Sequence, residues 1–141
     1  MTQKQKDLKD LLLKDLSCRL PYGVKAYVKH WSNLEWKYYE NVYTVKSTFP
    51  SLNEVHVQSE TGSVDVILGY SDYVIKPYLF PLENMTDEQM EEHQDLIKNH
   101  YCFDANGNVF TLQDFYCKYH FDYRGLIPMD LAIDATGENI Y

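Results

Sequence analysis

Two pairs of side chains late in the chain carry donors that zinc accepts. His100 and Cys102 stand two apart, so on a strand they point to one side; Cys117 and His120 stand three apart and on a helix share a face. Brought together they would form a two-sulfur, two-nitrogen set. Neither pair has the Cys-x-x-Cys knuckle of a zinc ribbon, and a free cysteine serves readily as a small buried hydrophobe. The four are therefore secondary candidates, and the first expectation is no metal and no cofactor. The run Asp104-x-Asn106-x-Asn108 resembles the opening of a calcium loop, but its glycine falls fourth instead of sixth and Phe115 stands where a bidentate glutamate is needed. It reads as a turn.

The densest chemistry lies in His120-Phe121-Asp122-Tyr123-Arg124-Gly125-Leu126-Ile127-Pro128. His120, Asp122 and Arg124 are the types that supply a base, an orienting carboxylate and an oxyanion clamp, so a hydrolase centred on them is one reading. Residues two apart do not share a helix face with His120 unless the chain turns, and no nucleophile elbow, phosphate loop or paired-carboxylate motif accompanies them. The competing reading is structural: Arg124 pairs Asp122 or caps an acidic helix, His120 is satisfied by the core, and Gly125 ends a helix. His120, Asp122, Tyr123 and Arg124 enter as binding candidates, and the expectation leans away from an enzyme.

A third constellation lies near the start. Val24, Ala26 and Val28 alternate with Lys25, Tyr27 and Lys29, and Trp31 continues the second set. Basic residues interleaved with aromatics on one strand face suit single-stranded nucleic acid, and Tyr39 or Tyr43 of the next strand would extend that face. A helix or partner covering this face, or lysines that merely keep a sheet soluble, is the alternative. The acidic run Glu83, Asp87, Glu88, Glu91, Glu92 and Asp95 reads first as a solvated helix surface and second as a face for a basic partner.

These groups need elements to hold them. Leu8, Leu11, Leu12 and Leu16 recur at helical spacing and predict an amphipathic helix over about residues 3 to 18, ended by Pro21-Tyr22-Gly23. Strand patterns follow in two hairpins: 24 to 31 with 36 to 46, then 54 to 58 with 63 to 68. The alternation slips near Asn41, where a bulge would reset the faces. Residues 73 to 81, broken by Pro77 and Pro81, read as a short edge strand running into an extended connection. Thr86 with Gln89 forms a capping box for a helix to about Lys98, and Thr111 with Asp114 a looser one for a helix from Leu112 to about Tyr119. Asn106-Gly107 marks a small hairpin between them. Gly125 to Tyr141 reads as a packed extended tail. The fold expected is a single α+β domain over 1 to 141: an N-terminal helix, an antiparallel meander of four to five strands, and two C-terminal helices flanking a small hairpin.

No apolar run approaches the length of a membrane helix, and the opening residues lack a signal-peptide pattern, so a cytoplasmic protein without membrane contact is expected. Three cysteines, an odd and sparse set, agree with a reducing compartment. The first 30 residues carry a net +4, leaving −12 for the rest of a chain whose total is −8, which disfavours nonspecific DNA binding by the whole molecule. Thirteen tyrosines supply apolar bodies with polar tips, suited to recognition surfaces.

Lys9-Asp10-Leu11, Leu20-Pro21-Tyr22-Gly23-Val24, Ile75-Lys76-Pro77-Tyr78-Leu79, Pro81, Met85-Thr86, His120 to Ile127 and Leu131-Ala132 together resemble a family of short uncharacterised proteins of Bacteroides-type gut bacteria, their phages and mobile elements. The resemblance spans nearly the whole chain and is weakest between 27 and 70. This chain departs from the pattern at Phe80, where Arg is common, and at Asp130, where Gly is usual. What the resemblance implies is an accessory protein of mobile DNA, with no catalytic residues to carry over. The function expected is a non-enzymatic macromolecule-binding module, with a protein partner first, a single-stranded nucleic acid second, and the hydrolase third.

Overall fold

The computed structural model describes residues 2–70 and 72–141. Helix α1 (Gln3–Arg19) opens on a capping box in which Thr2 and Gln5 satisfy one another's backbone N–H groups, and it stops at Pro21 and at Gly23, whose φ of +66° suits glycine. Of the expected stripe, Leu12 and Leu16 are buried against a sheet together with Leu13, while Leu8 and Leu11 are only partly covered at its margin.

The strands are β1 (Lys25–Ser32), β2 (Lys37–Phe49), β3 (Glu54–Ser59), β4 (Gly62–Ile67), β5 (Tyr73–Leu79), β6 (Tyr101–Phe103), β7 (Val109–Thr111) and β8 (Ile133–Asp134). Six of them make one sheet in the order β4-β3-β2-β1-β5-β8, and β6 pairs with β7 alone. Helices α2 (Asp87–Asn99) and α3 (Leu112–Lys118) flank that small hairpin, each opened by its capping box. The expected α+β architecture is the observed one: helix, antiparallel strands, then two helices around a hairpin.

Three expectations need correction. Asn41 pairs directly with Val28 and no bulge interrupts 37 to 45; the register shifts between Val45 and Ser47, leaving Lys46 as the extra residue. The aromatic pattern misled because rings occupy both faces of β2, so ring positions do not report the buried side. β5 is an edge strand beside β1 only over Tyr73 to Pro77; where a plain extended connection was expected it receives β8 at Tyr78 and Leu79. The tail therefore contributes a short parallel strand, a long-range pairing with no local signature. Pro77 is tolerated because its nitrogen points away from β1 and interrupts no ladder bond there.

The sheet coils, so that β4 and β5, four places apart in hydrogen-bonded order, meet again at the connection joining them. Val24, Ala26, Val28, Val55 and Val57 are fully buried between the sheet and α1 in the larger core. A smaller core gathers Leu96, Phe110, Phe115 and Phe121 between α2, α3 and the hairpin. Phe121 belongs to the second core and Leu126 to the first, so the motif at 120 to 128 joins the two.

Candidate functional site

The β1–β2 hairpin ends in an exposed aromatic cluster. Ser32 and Lys37 form its last pair, leaving Asn33, Leu34, Glu35 and Trp36 as the loop. The Trp36 N–H donates to the Ser32 carbonyl at 2.8 Å, the Glu35 N–H donates to the Ser32 hydroxyl at 3.3 Å, and the Trp31 indole N–H donates to Asn33 Oδ1 at 2.9 Å. Closing the loop puts Trp36 at φ +54°, a left-handed conformation that glycine or asparagine adopts far more cheaply. Trp31 meets Trp36 edge-on at 6.1 Å and Tyr38 at 4.9 Å, while the Lys29 ammonium sits 4.7 Å from the Tyr38 ring. Leu34 is 91% exposed, Trp36 79% and Tyr38 44%. So much apolar surface on one fixed tip contributes nothing to either core.

Below the tip, Lys25, Tyr27, Lys29 and Trp31 do share one face, opposite Val24, Ala26 and Val28, but Tyr39 and Tyr43 do not join them. Tyr43 lies opposite Ala26 and Tyr39 opposite His30, on the other face; the neighbours of the lysine face are Tyr38, Glu40, Val42 and Thr44. The lysines are engaged. Lys25 Nζ donates to the Ile140 carbonyl at 3.1 Å, Lys29 stands 3.9 Å from Glu40, and the neighbouring Lys76 pairs Asp130 at 2.8 Å. Tyr27 donates its hydroxyl to the same Glu40 at 2.8 Å. A phosphate would have to displace carboxylates from this face.

The motif at 120 to 128 is tied into the molecule residue by residue. The Phe80 N–H donates to the His120 carbonyl and the Asp122 N–H to the Phe80 carbonyl, so the segment runs parallel past the end of β5. The buried Asp122 carboxylate accepts from the backbone N–H groups of Leu126 and Ile127, both at 2.8 Å, closing the turn in which Gly125 has φ +74°. His120, itself at φ +61°, stacks on Tyr141 at 3.7 Å with the rings 11° apart. Burial, with the Arg19 and Lys25 charges adding to it, brings its pKa down to about 4. Burial likewise holds the phenols of Tyr141 and Tyr123 up at about 12.

Arg124 does not pair with Asp122. It turns to Asp15 of α1, and its Nη2 donates to the Tyr123 hydroxyl at 2.8 Å and lies 3.6 Å from Cys18 Sγ. Asp15 is fully buried and also holds the fully buried Arg19 at 2.8 Å, whose Nη2 donates to the Phe121 carbonyl at 2.7 Å. His120, Asp122 and Arg124 thus face three separate sets of partners, and no hydrogen bond links them among the described residues. The arrangement is that of a clasp between α1 and the segment joining the two cores.

The zinc candidates are dispersed. His100 and Cys102 are exposed at the end of α2 and on β6, Cys117 is buried in α3, and His120 is stacked on Tyr141. No group of three or more His, Cys, Asp or Glu side chains is placed to hold a metal ion among the described residues. Burial raises the Cys117 thiol pKa, with Arg19 opposing. In the calcium-like run, Asp104 Oδ1 accepts from the Asn106 and Asn108 N–H groups, each at 2.9 Å, which makes it the turn of the small hairpin.

Sequence reasoning missed three of these groups. Asp15 and Arg19 lie three and seven residues beyond Leu12, on the buried stripe of α1, and that spacing was the signal that they are interior. Trp36, read as the start of a strand, occupies a loop position that usually selects glycine or asparagine. No protein-family model matches the chain, and neither the curated proteins nor the solved structures compared with it give a match.

Proposed function

We propose that the protein is a non-enzymatic interaction module that binds a protein partner through the tip of the β1–β2 hairpin. One observation carries the reading: Trp36 is held left-handed and 79% exposed in a turn where a smaller residue would fold more easily. The strain is offset only by the edge contact with Trp31, and the exposed apolar area adds nothing to either core. Tryptophan and tyrosine at the centre of a small apolar patch, rimmed by Lys29, Glu35 and Lys37, have the composition of a binding hot spot. The cytoplasm is the setting that agrees with three free cysteines. The family resemblance adds the role of an accessory factor of a phage or mobile element.

The test compares wild type with Trp36→Gly as bait in a Bacteroides-type lysate, with a photocrosslinker placed at Leu34. Wild type should retain a protein that crosslinks at Leu34, and the variant should lose it while remaining folded. A partner captured equally by both, or crosslinks that never form at the tip, would sink the reading. Retention only of nuclease-sensitive material would instead favour the nucleic-acid function.

A further inference from the structure

Among the described residues, the first half of β5 has no strand on its outer edge. β1 pairs with β5 from Tyr73 to Pro77, whereas β8 reaches only Tyr78 and Leu79. The Asp72 carbonyl accepts from Trp31 and the Leu79 carbonyl from Ala135, so even-numbered backbone groups face β1 and odd-numbered ones face outward. The N–H and C=O of Ile75 and the C=O of Tyr73 therefore lie on an edge without a strand partner among the described residues. The Tyr73 N–H is turned back to the Tyr70 carbonyl at 3.2 Å. An unpaired edge of this kind is a template for another strand.

Against that edge lies an apolar groove of about 480 Å³, walled by Leu8 and Leu12 of α1, by Leu68 and Ile75, and by Leu131. Lys9 is half-buried on its rim with no ion-pair partner among the described residues, while Lys76 opposite is held by Asp130.

We infer that this groove takes an extended segment of a partner protein, which adds a short strand to the outer edge of β5. The segment places alternate apolar side chains against Leu8, Leu12 and Leu131 and an acidic residue at Lys9. The edge decides between occupants: its backbone groups call for main-chain donors and acceptors, which a hydrocarbon tail lacks and an extended peptide presents at the strand repeat. The unpaired Lys9 sets the sign of charge beside the apolar positions. The groove shares no residue with the hairpin tip, so the inference stands apart from the function proposed there.

The experiment selects binders to the full chain from a random peptide display library and follows amide hydrogen exchange in the complex. The enriched peptides should alternate apolar residues around an acidic one and slow exchange at Ile75 by about tenfold or more. N-methylation of the peptide nitrogens that face β5 should weaken binding by about tenfold or more, the worth of one or two main-chain bonds. Leu8→Asp and Lys9→Glu should weaken it too, and Trp36→Gly should leave it unchanged. Because the N-methyl series alters only the peptide, its result stands whatever Leu8→Asp does to folding. Binding that tolerates N-methylation, or that leaves Ile75 exchange unaltered, overturns the inference. So does a selection that yields no groove-dependent peptide, or protection of Ile75 by decanoate in place of any peptide.

Discussion

Arg124 Nε lies 3.2 Å from Asp15 Oδ1, joining the segment that bridges the two cores to the C-terminal turns of the first helix across most of the chain. The approach is close enough for an ion pair but not aligned for a hydrogen bond, and Nε has no other partner among the described residues. Asp15 directs its aligned bonds to Arg19 instead. One buried carboxylate thus serves two guanidinium groups, and its loss strands both.

Asp15→Ala is expected to destabilise the protein by about 3–5 kcal/mol, the usual cost of leaving a buried charge unpaired. Arg124→Ala should cost less, about 1–2 kcal/mol, because its side chain keeps some access to water at 15% exposure. The double variant should fall short of the sum, since the two share one interaction. Urea unfolding of the three variants measures this, and strict additivity would mean that the pair is not coupled.

Asp122 is a turn-closing carboxylate with two charge-assisted bonds to backbone N–H groups. Asp122→Ala should cost about 2–4 kcal/mol, and Asp122→Asn, which keeps one acceptor oxygen, about half of that. The loss should be accompanied by faster amide exchange at Leu126 and Ile127. An Asp122→Ala variant as stable as wild type would leave the turn without its proposed anchor.

The His120 stack makes stability depend on pH in a defined direction. Its pKa falls from the usual 6.5 in the unfolded chain to about 4 in the folded one, so between these values the unfolded state binds more protons. Stability is unaffected by this group above about pH 6.5 and is lost as pH falls toward 4. With partial solvent access discounted, the loss is about 1–2 kcal/mol. His120→Phe, which keeps a ring against Tyr141, should flatten this part of the curve when urea midpoints are followed across the range. An unchanged slope would assign it to carboxylates alone.

At the hairpin tip, removing the tryptophan should not harm the fold. Trp36→Gly relieves the left-handed conformation, worth about 1 kcal/mol, against the loss of an edge contact with Trp31 of similar size. Thermal unfolding should therefore shift by only a few degrees in either direction. A large loss of stability would make Trp36 a structural residue and remove the basis for assigning it to recognition.

The sequence by itself determined what local chemistry can specify. Leucine spacing in α1, period-two alternation in β1, β3 and β4, and Thr-x-x-Gln or Thr-x-x-Asp at the helix starts each name an element, because their energetics act over a few residues. Tertiary structure decided the rest. Which rings of β2 share the lysine face depended on the register of β2 against β1, fixed by the pairing of Ser32 with Lys37, and a one-residue slip inverts every side chain. Whether His120, Asp122 and Arg124 formed a catalytic set depended on partners far away in the chain: Tyr141 for the first, Asp15 for the third. The pairing of β8 with β5, and the bare edge it leaves at Tyr73 to Ile75, arise from the last residues of the chain folding back onto a strand in its middle. Such contacts are selected by the energy of the assembled molecule, and no local pattern records them.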